Sequence, residues 1–136
     1  MATTTTHLNF RGDARAALEF YHSVFGGDIT LVTYADAHRE QDAAAPDQVL
    51  WGQVAAGSGF RIMGYDVQAD RPFDRGTNSF YVSVRSSSEE EITALWKGLS
   101  AEGTVVQDLG PSGWASLYGM VTDPFGVTWV LDVVAY

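Results

Sequence analysis

The chain contains no cysteine among its 136 residues. Disulfide bonds, thiolate metal sites and a cysteine nucleophile are therefore excluded. The sequence also lacks any apolar run of the about 18 residues that a membrane-spanning helix needs. Its first ten residues, MATTTTHLNF, do not combine a basic segment with a long apolar stretch, as a secretory signal would. These absences predict a cytoplasmic protein that does not enter membranes.

Basic residues are scarce. Eight Lys and Arg stand against 17 Asp and Glu, which gives a net charge of −9 at pH 7. A negative field of this size disfavours nucleic acid and anionic membranes as partners and favours a cationic ligand. Solubility alone also accounts for such a charge. The apolar fraction of 46% and the charged fraction of 18% indicate a folded globular chain.

Two stretches of the sequence share one layout. Residues 50–67 read LWGQVAAGSGFRIMGYDV, and residues 117–134 read LYGMVTDPFGVTWVLDVV. Five of these 18 pairs are identical, where roughly one is expected from average residue usage. Asp123, Pro124 and Gly126 occupy the positions that a type I turn favours. Each stretch is therefore predicted to be a β-hairpin.

The segments before each hairpin also match one another. Asp13 is a helix N-cap candidate and Gly26 a helix-ending residue. In the second half, Ser87 with Glu90, or Ser88 with Glu91, forms a capping box. The predicted strands are His7–Phe10, Ile29–Ala35, Val49–Ala55 and Phe60–Tyr65 in the first half, then Ser79–Val84, TVVQDL and the last hairpin in the second.

Each half thus reads β-α-β-β-β, and the chain is predicted to be a tandem duplication. The joint lies in Val67–Asn78, which is rich in turn-forming residues. The modules are predicted to span residues 1–70 and 71–136 of one structural domain. One helix covers only one face of a four-stranded sheet. We therefore expect an α+β fold in which two βαβββ modules form an eight-stranded curved sheet around a cavity.

Two motifs carry a resemblance to a known family. The segments HLNFRGDARAALEFYHSVFGG and DPFGVTW resemble the opening and the final strand of the PhnB-like branch of the vicinal oxygen chelate superfamily. That superfamily includes glyoxalase I, extradiol dioxygenases, and fosfomycin and bleomycin resistance proteins. The resemblance implies the glyoxalase/bleomycin resistance fold, a homodimer and a small molecule bound in the cavity.

The resemblance also implies where a divalent metal would bind, since active members take ligands from the first and last strand of each module. The matching positions here are His7, Met63, Ser79 and Val130. Only the imidazole is a good ligand, and a catalytic centre needs about three protein ligands. Asp132 would share a face with Val130 but lies near the strand end. We therefore expect no metal cofactor.

Alternation along the strands selects the side chains that would line the cavity. Trp129 is assigned to the core, beneath the helices. Trp51 and its repeat equivalent Tyr118 are either cavity-wall or helix-facing residues, and the sequence leaves this open. Trp114, in a glycine- and proline-bearing loop, closes the cavity or lies in a dimer interface. The cavity candidates are His7, Asn9, Trp51, Met63, Tyr65, Ser79, Tyr81, Trp114, Tyr118 and Val130.

The predicted function is metal-free small-molecule binding, in the manner of ligand sequestration by bleomycin resistance proteins. The alternative is a glyoxalase-like lyase, isomerase or dioxygenase with atypical metal ligands. An accessory module without a ligand of its own is a third reading. The identity of the ligand is not encoded in any motif that we recognise.

Overall fold

The computed structural model describes residues 2–134. They form two compact units, divided between Gly76 and Thr77. Each unit contains one helix of 12 residues and one mixed four-stranded sheet, so the predicted α+β class and the βαβββ order are confirmed. The eight strands of the described residues are hydrogen-bonded in two groups of four. No helix within residues 2–134 is long and apolar enough to cross a membrane.

The first unit has the strand order β1-β4-β3-β2. Strand β1 runs parallel to β4, and the other neighbours are antiparallel. Its elements are β1 (Thr6–Phe10), α1 (Ala14–Phe25), β2 (Asp28–Thr33), a single 3-10 turn (Glu40–Asp42), β3 (Val49–Ala55) and β4 (Arg61–Asp66).

The second unit repeats this topology with the order β5-β8-β7-β6 and a parallel β5–β8 pair. Its elements are β5 (Val82–Ser86), α2 (Glu89–Ser100), β6 (Thr104–Gly110), β7 (Tyr118–Thr122) and β8 (Thr128–Val133).

The two predicted hairpins are equivalent in their hydrogen bonding. The register of β3 on β4 becomes that of β7 on β8 when every residue number is raised by 67. In the first turn the N–H of Gly59 donates to the carbonyl of Ala56 at 3.0 Å. In the second, Gly126 donates to Asp123 at 3.1 Å. Both glycines have positive φ, 102° and 90°, which explains why glycine recurs at this position.

A second recurring glycine sets how closely each helix approaches its sheet. A Cβ added to Gly52 on β3 would lie 2.4 Å from Cδ1 of Leu18 on α1. A Cβ added to the equivalent Gly119 on β7 would lie 2.8 Å from the Trp96 ring on α2. The repeated glycines therefore leave the space that a large helical side chain fills in each unit.

The first strand of the second unit begins later than predicted. Strand β5 starts at Val82, so Ser79, Phe80 and Tyr81 lie in the linker rather than in a strand. Asn78 has a φ of 53°, a left-handed conformation that does not continue a strand. Alternation along the predicted strand Ser79–Val84 would place Phe80 on the core side, but Phe80 is 54% exposed. The alternation argument that placed Ser79 and Tyr81 on one strand face therefore does not apply to them.

The second strand ends earlier than predicted, at Thr33 rather than Ala35. The Asp36 carboxylate accepts the backbone N–H of Thr33 at 3.0 Å, and the Thr33 hydroxyl accepts the N–H of Asp36 at 2.9 Å. These bonds form a local turn that stops the strand. The hydrogen bond from the Thr33 backbone lowers the pKa of the Asp36 carboxyl.

The two helices begin in different ways. In α2, Ser88 is the N-cap and its hydroxyl accepts the N–H of Glu91 at 3.1 Å, which is one half of the second predicted capping box. The other half is absent, because the N–H of Ser88 donates to the Ser86 hydroxyl at 3.0 Å and not to the Glu91 side chain. In α1, Asp13 occupies the predicted N-cap position, but its side chain makes no capping hydrogen bond.

A buried carboxylate at the end of β4 instead accepts hydrogen bonds from the backbone N–H groups at the start of α1. Asp66, at the end of β4, is 1% exposed. Its Oδ1 accepts the N–H groups of Gly12 at 2.6 Å and Ala14 at 3.1 Å, and its Oδ2 accepts the N–H of Val49 at 2.9 Å. A negative charge at a helix N-terminus also interacts favourably with the helix dipole. One side chain thus joins α1, β3 and β4.

The backbone of Asp66 takes part in a further bond. The hydroxyl of Tyr34 donates to its carbonyl oxygen at 2.7 Å, and Tyr34 is 1% exposed. Burial raises the pKa of the Tyr34 phenol above its ordinary value, so the donor stays protonated. The stabilisation from this bond is complete below the ordinary tyrosine pKa and is lost as pH rises through the raised value.

We predict that Asp66→Asn lowers the free energy of unfolding by about 2–4 kcal/mol, because an amide replaces one acceptor oxygen by a donor facing a buried N–H. Urea unfolding followed by circular dichroism measures the change. Asp13→Asn is the matched control and should change the value by less than about 0.5 kcal/mol. Equal losses in the two variants would contradict the assigned role of Asp66.

Candidate functional site

Each sheet has one face covered by its own helix. In the first unit the covered side carries Leu8, Phe10, Val54 and Ile62, all at most 1% exposed. The intervening residues of the same strands are half-buried or exposed. We call the side of each sheet opposite its helix the helix-free face. The candidate site residues lie mainly on these two faces.

The helix-free face of the first unit is aromatic and polar. His7 and Asn9 on β1 lie beside Met63 and Tyr65 on β4, respectively. The His7 Nδ1 and Asn9 Oδ1 atoms are 3.2 Å apart, and the rings of His7 and Tyr65 meet edge to face with centroids 5.2 Å apart. Trp51 is also on this face, because its neighbour Gly52 is the residue against α1. Trp51 is therefore not a helix-facing residue of this strand.

The helix-free face of the second unit is built around an ion pair. Arg85 on β5 lies beside Asp132 on β8, and the Arg85 Nε is 3.0 Å from the Asp132 Oδ1. Ser83 lies beside Val130 on the same two strands. Tyr118 on β7 is directly opposite Asp132 in the antiparallel β7–β8 pair, which places both side chains on one face.

Trp114 lies in the loop before β7 and is 65% exposed. The Ser112 hydroxyl accepts the N–H of Ala115 at 3.1 Å and so holds the loop around this tryptophan. The Trp114 ring meets the Tyr118 ring edge to face, with centroids 5.1 Å apart. The loop therefore adds a second aromatic ring beside the helix-free face of the second unit.

Trp129 belongs to the core, as predicted. It is fully buried, and its indole N–H donates to Oδ2 of Asp123 at 2.9 Å. The other oxygen of Asp123 accepts the N–H groups of Phe125 at 2.8 Å and Val127 at 3.1 Å. The turn residue Asp123 thus has a structural role, and it also accepts the hydrogen bond of the buried Trp129 indole N–H.

Comparison with known proteins identifies the family. The model of the Glyoxalase/Bleomycin resistance protein/Dioxygenase superfamily matches residues 6–131. The chain belongs to this superfamily.

Similar proteins extend over nearly the whole chain. Protein YjdN of Escherichia coli is 27% identical over 136 residues, covering 94% of this chain and 92% of YjdN. The crystal structure of PA1353 from Pseudomonas aeruginosa is 29% identical with a TM-score of 0.87, covering 98% of each chain. A Bacillus cereus protein described as a putative 3-demethylubiquinone-9 3-methyltransferase, PhnB protein, shares the fold at 24% identity and a TM-score of 0.75, covering 98% of this chain and all of that one.

The strand register corrects one of the four positions at which superfamily members bind metal. His7 lies beside Met63 in the β1–β4 pair, and the equivalent neighbour of Val130 in the β5–β8 pair is Ser83. The first-strand position of the second unit is therefore Ser83 and not Ser79. The chemical type is unchanged, because both residues offer a neutral hydroxyl.

The corrected set does not fit a divalent metal centre. It contains one imidazole, one thioether, one hydroxyl and the alkyl side chain of valine, and only the imidazole is a strong ligand for zinc, nickel or iron. Within residues 2–134, no group of three or more His, Asp or Glu side chains is arranged to hold a metal ion. Of these side chains, the imidazole and the hydroxyl can form hydrogen bonds, while the thioether and the alkyl group offer apolar contact.

The Arg85–Asp132 ion pair was not predicted from the sequence. The sequence pattern predicts Asp132 only as an alternative metal ligand to Val130, and it predicts no site role for Arg85. The displaced start of β5 explains the omission. Once β5 is set against β8, Arg85 occupies the place that Asn9 has in the first unit, and Asp132 the place of Tyr65.

We predict that the purified protein retains far less than one equivalent of zinc, nickel, iron or manganese per chain after incubation with the metal and desalting. A single imidazole gives only modest affinity. Elemental analysis of wild type, His7→Ala and the loop variant His38→Ala should therefore give the same low content. Stoichiometric metal that disappears only in His7→Ala would overturn the assignment of the ligand positions.

Proposed function

We propose that the protein is a small-molecule-binding member of the superfamily that sequesters its ligand without a catalytic metal. The observation that carries the proposal is the set of side chains at the superfamily metal positions, His7, Met63, Ser83 and Val130. A glyoxalase-like lyase, isomerase or dioxygenase would need about three protein ligands for its metal. This set supplies one.

The side chains on each helix-free face, taken separately, support binding of an aromatic or apolar molecule with a few polar groups. Trp51 and Tyr65 offer ring surfaces on the helix-free face of the first unit, next to the His7 and Asn9 hydrogen-bonding groups. Tyr118 offers another aromatic ring on the helix-free face of the second unit. Apolar and aromatic walls with a few placed polar groups are typical of small-molecule sites. The net charge of −9 favours a cationic ligand.

We predict that a compound found by a melting-temperature screen loses affinity by about tenfold in Trp51→Ala, because a buried aromatic contact contributes roughly 1–1.5 kcal/mol. Fluorescence titration or calorimetry measures the dissociation constants. Phe80→Ala, which removes a 54% exposed aromatic ring from the linker, is the matched control and should bind as the wild type does. A ligand indifferent to Trp51 and to the other rings of the helix-free faces would contradict the proposal.

We also propose that the protein is a homodimer. Strand β6 is at an edge of the second sheet, and its Val105 and Val106 are 43% and 57% exposed. Exposed edge strands with apolar side chains are commonly covered by another chain.

Light scattering should therefore give a dimer mass at tens of micromolar protein. Val106→Lys should shift the mass toward the monomer, because a lysine would be desolvated in the interface. Ala94→Lys, a matched substitution on the exposed side of α2, should not. A monomer mass for the wild type would refute the dimer, and a dimer unaffected by Val106→Lys would place the interface elsewhere.

A further inference from the structure

Three carboxylates are buried in the described residues: Asp66, Asp123 and Asp132, which are 1%, 4% and 7% exposed. In two of them, both carboxylate oxygens accept hydrogen bonds from other groups of the protein. Asp66 and Asp123 each accept three N–H groups, at 2.6–3.1 Å, and in both cases the donors reach both carboxylate oxygens. This pattern is what a purely structural buried carboxylate requires, because each unsatisfied acceptor raises the free energy of burial.

Asp132 departs from this pattern. Its Oδ1 accepts one hydrogen bond, from Nε of Arg85 at 3.0 Å. No donor within residues 2–134 forms a hydrogen bond with its Oδ2. A carboxylate that is 7% exposed and holds a single donor retains capacity for a further strong hydrogen bond.

The fold does not require a charged pair at this place. In the first unit the equivalent positions on the parallel edge pair are Asn9 and Tyr65, which are both uncharged. The same backbone arrangement therefore forms with neutral side chains. The ion pair of Arg85 and Asp132 is specific to the second unit, which is consistent with a role in recognition.

Two aromatic side chains belong to the same region of the second unit as Asp132. Tyr118 is the cross-strand neighbour of Asp132 on the same face, and Trp114 contacts Tyr118 edge to face at 5.1 Å between centroids. Aromatic ring faces attract cations, with the largest effect for tryptophan. A carboxylate on a sheet face that also carries Tyr118, with Trp114 against that ring, is complementary to an ammonium group attached to an apolar body.

We propose that Asp132 is the ligand-anchoring residue and that the ligand is an organic ammonium ion. One ammonium N–H donates to Oδ2 of Asp132, and the body of the ligand lies against the rings of Tyr118 and Trp114. Arg85 acts as a positioning residue, since its bond to Oδ1 fixes the carboxylate while Oδ2 receives the ligand. This inference rests on the proposed small-molecule-binding function and specifies the ligand class.

Three aryl compounds of similar size test the charge requirement on the unmodified protein. They are 2-phenylethylammonium, the neutral 2-phenylethanol and the anion 3-phenylpropanoate. We expect the ammonium to bind about tenfold or more tightly than the alcohol, as one charge-assisted hydrogen bond allows, and the anion to bind weakest. Two-dimensional amide NMR should place the largest shift changes at β7, β8 and the loop around Trp114.

Substitution of Asp132 then tests whether this residue is responsible for the preference for the ammonium over the alcohol. Asp132→Asn should reduce the affinity for the ammonium about tenfold and leave that for the alcohol nearly unchanged. Glu102→Gln removes the same charge from an exposed position of the second unit and should have no comparable effect. Near-UV circular dichroism checks that each variant is folded, and the preference of the wild type for the ammonium stays decisive if Asp132→Asn does not fold.

The outcomes separate this inference from the proposed function. Equal binding of ammonium and alcohol, with shift changes on a helix-free face, would overturn the inference and leave the proposed function standing. Absence of ammonium binding at millimolar concentration, or binding away from β7 and β8, would also overturn the inference. Absence of binding to either helix-free face by any compound of a chemically diverse library would overturn the proposed function itself.

Discussion

The buried carboxylate of Asp66 is the interaction on which the first unit depends. It satisfies the N–H groups of Gly12 and Ala14 at the start of α1 and that of Val49 at the start of β3. Because Asp66 ends β4, the same contact fixes that strand and its parallel partner β1 relative to the helix. The strands that carry His7 and Met63 are thereby held in one register. The positions of the side chains on the helix-free face therefore depend on Asp66, which lies on the side of the sheet covered by α1.

The second unit reaches the same topology by other means. Its position equivalent to Asp66 is Val133, and its helix is capped locally by the Ser88 hydroxyl. The two units therefore share their hairpins and helix-to-sheet packing but differ in their polar contacts. The helix-free faces diverged in the same way, since one presents Asn9 and Tyr65 and the other Arg85 and Asp132. The two units therefore present two chemically different helix-free faces.

Local patterns predicted most of the fold. The hairpins, the end of α1 at Gly26 and the buried Trp129 follow from turn residues, helix-ending glycine and strand alternation, all of which act within a few residues. The failures involve distant partners. The start of β5 depends on parallel pairing with β8, which lies far along the chain. The N–H groups at the start of α1 depend on the Asp66 carboxylate as their hydrogen-bond acceptor. The Arg85–Asp132 pair was not predicted for the same reason, because the register between two distant strands cannot be predicted from the sequence of either strand alone.

Calorimetric titration distinguishes a side-chain site from a metal site in this protein. One ligand is titrated into chelator-treated protein and into protein supplied with zinc or nickel. We predict the same dissociation constant and stoichiometry in both samples, because only His7 among the four superfamily metal positions is a good ligand. Binding that requires the added metal, or that strengthens about tenfold or more with it, would contradict ligand binding without a metal.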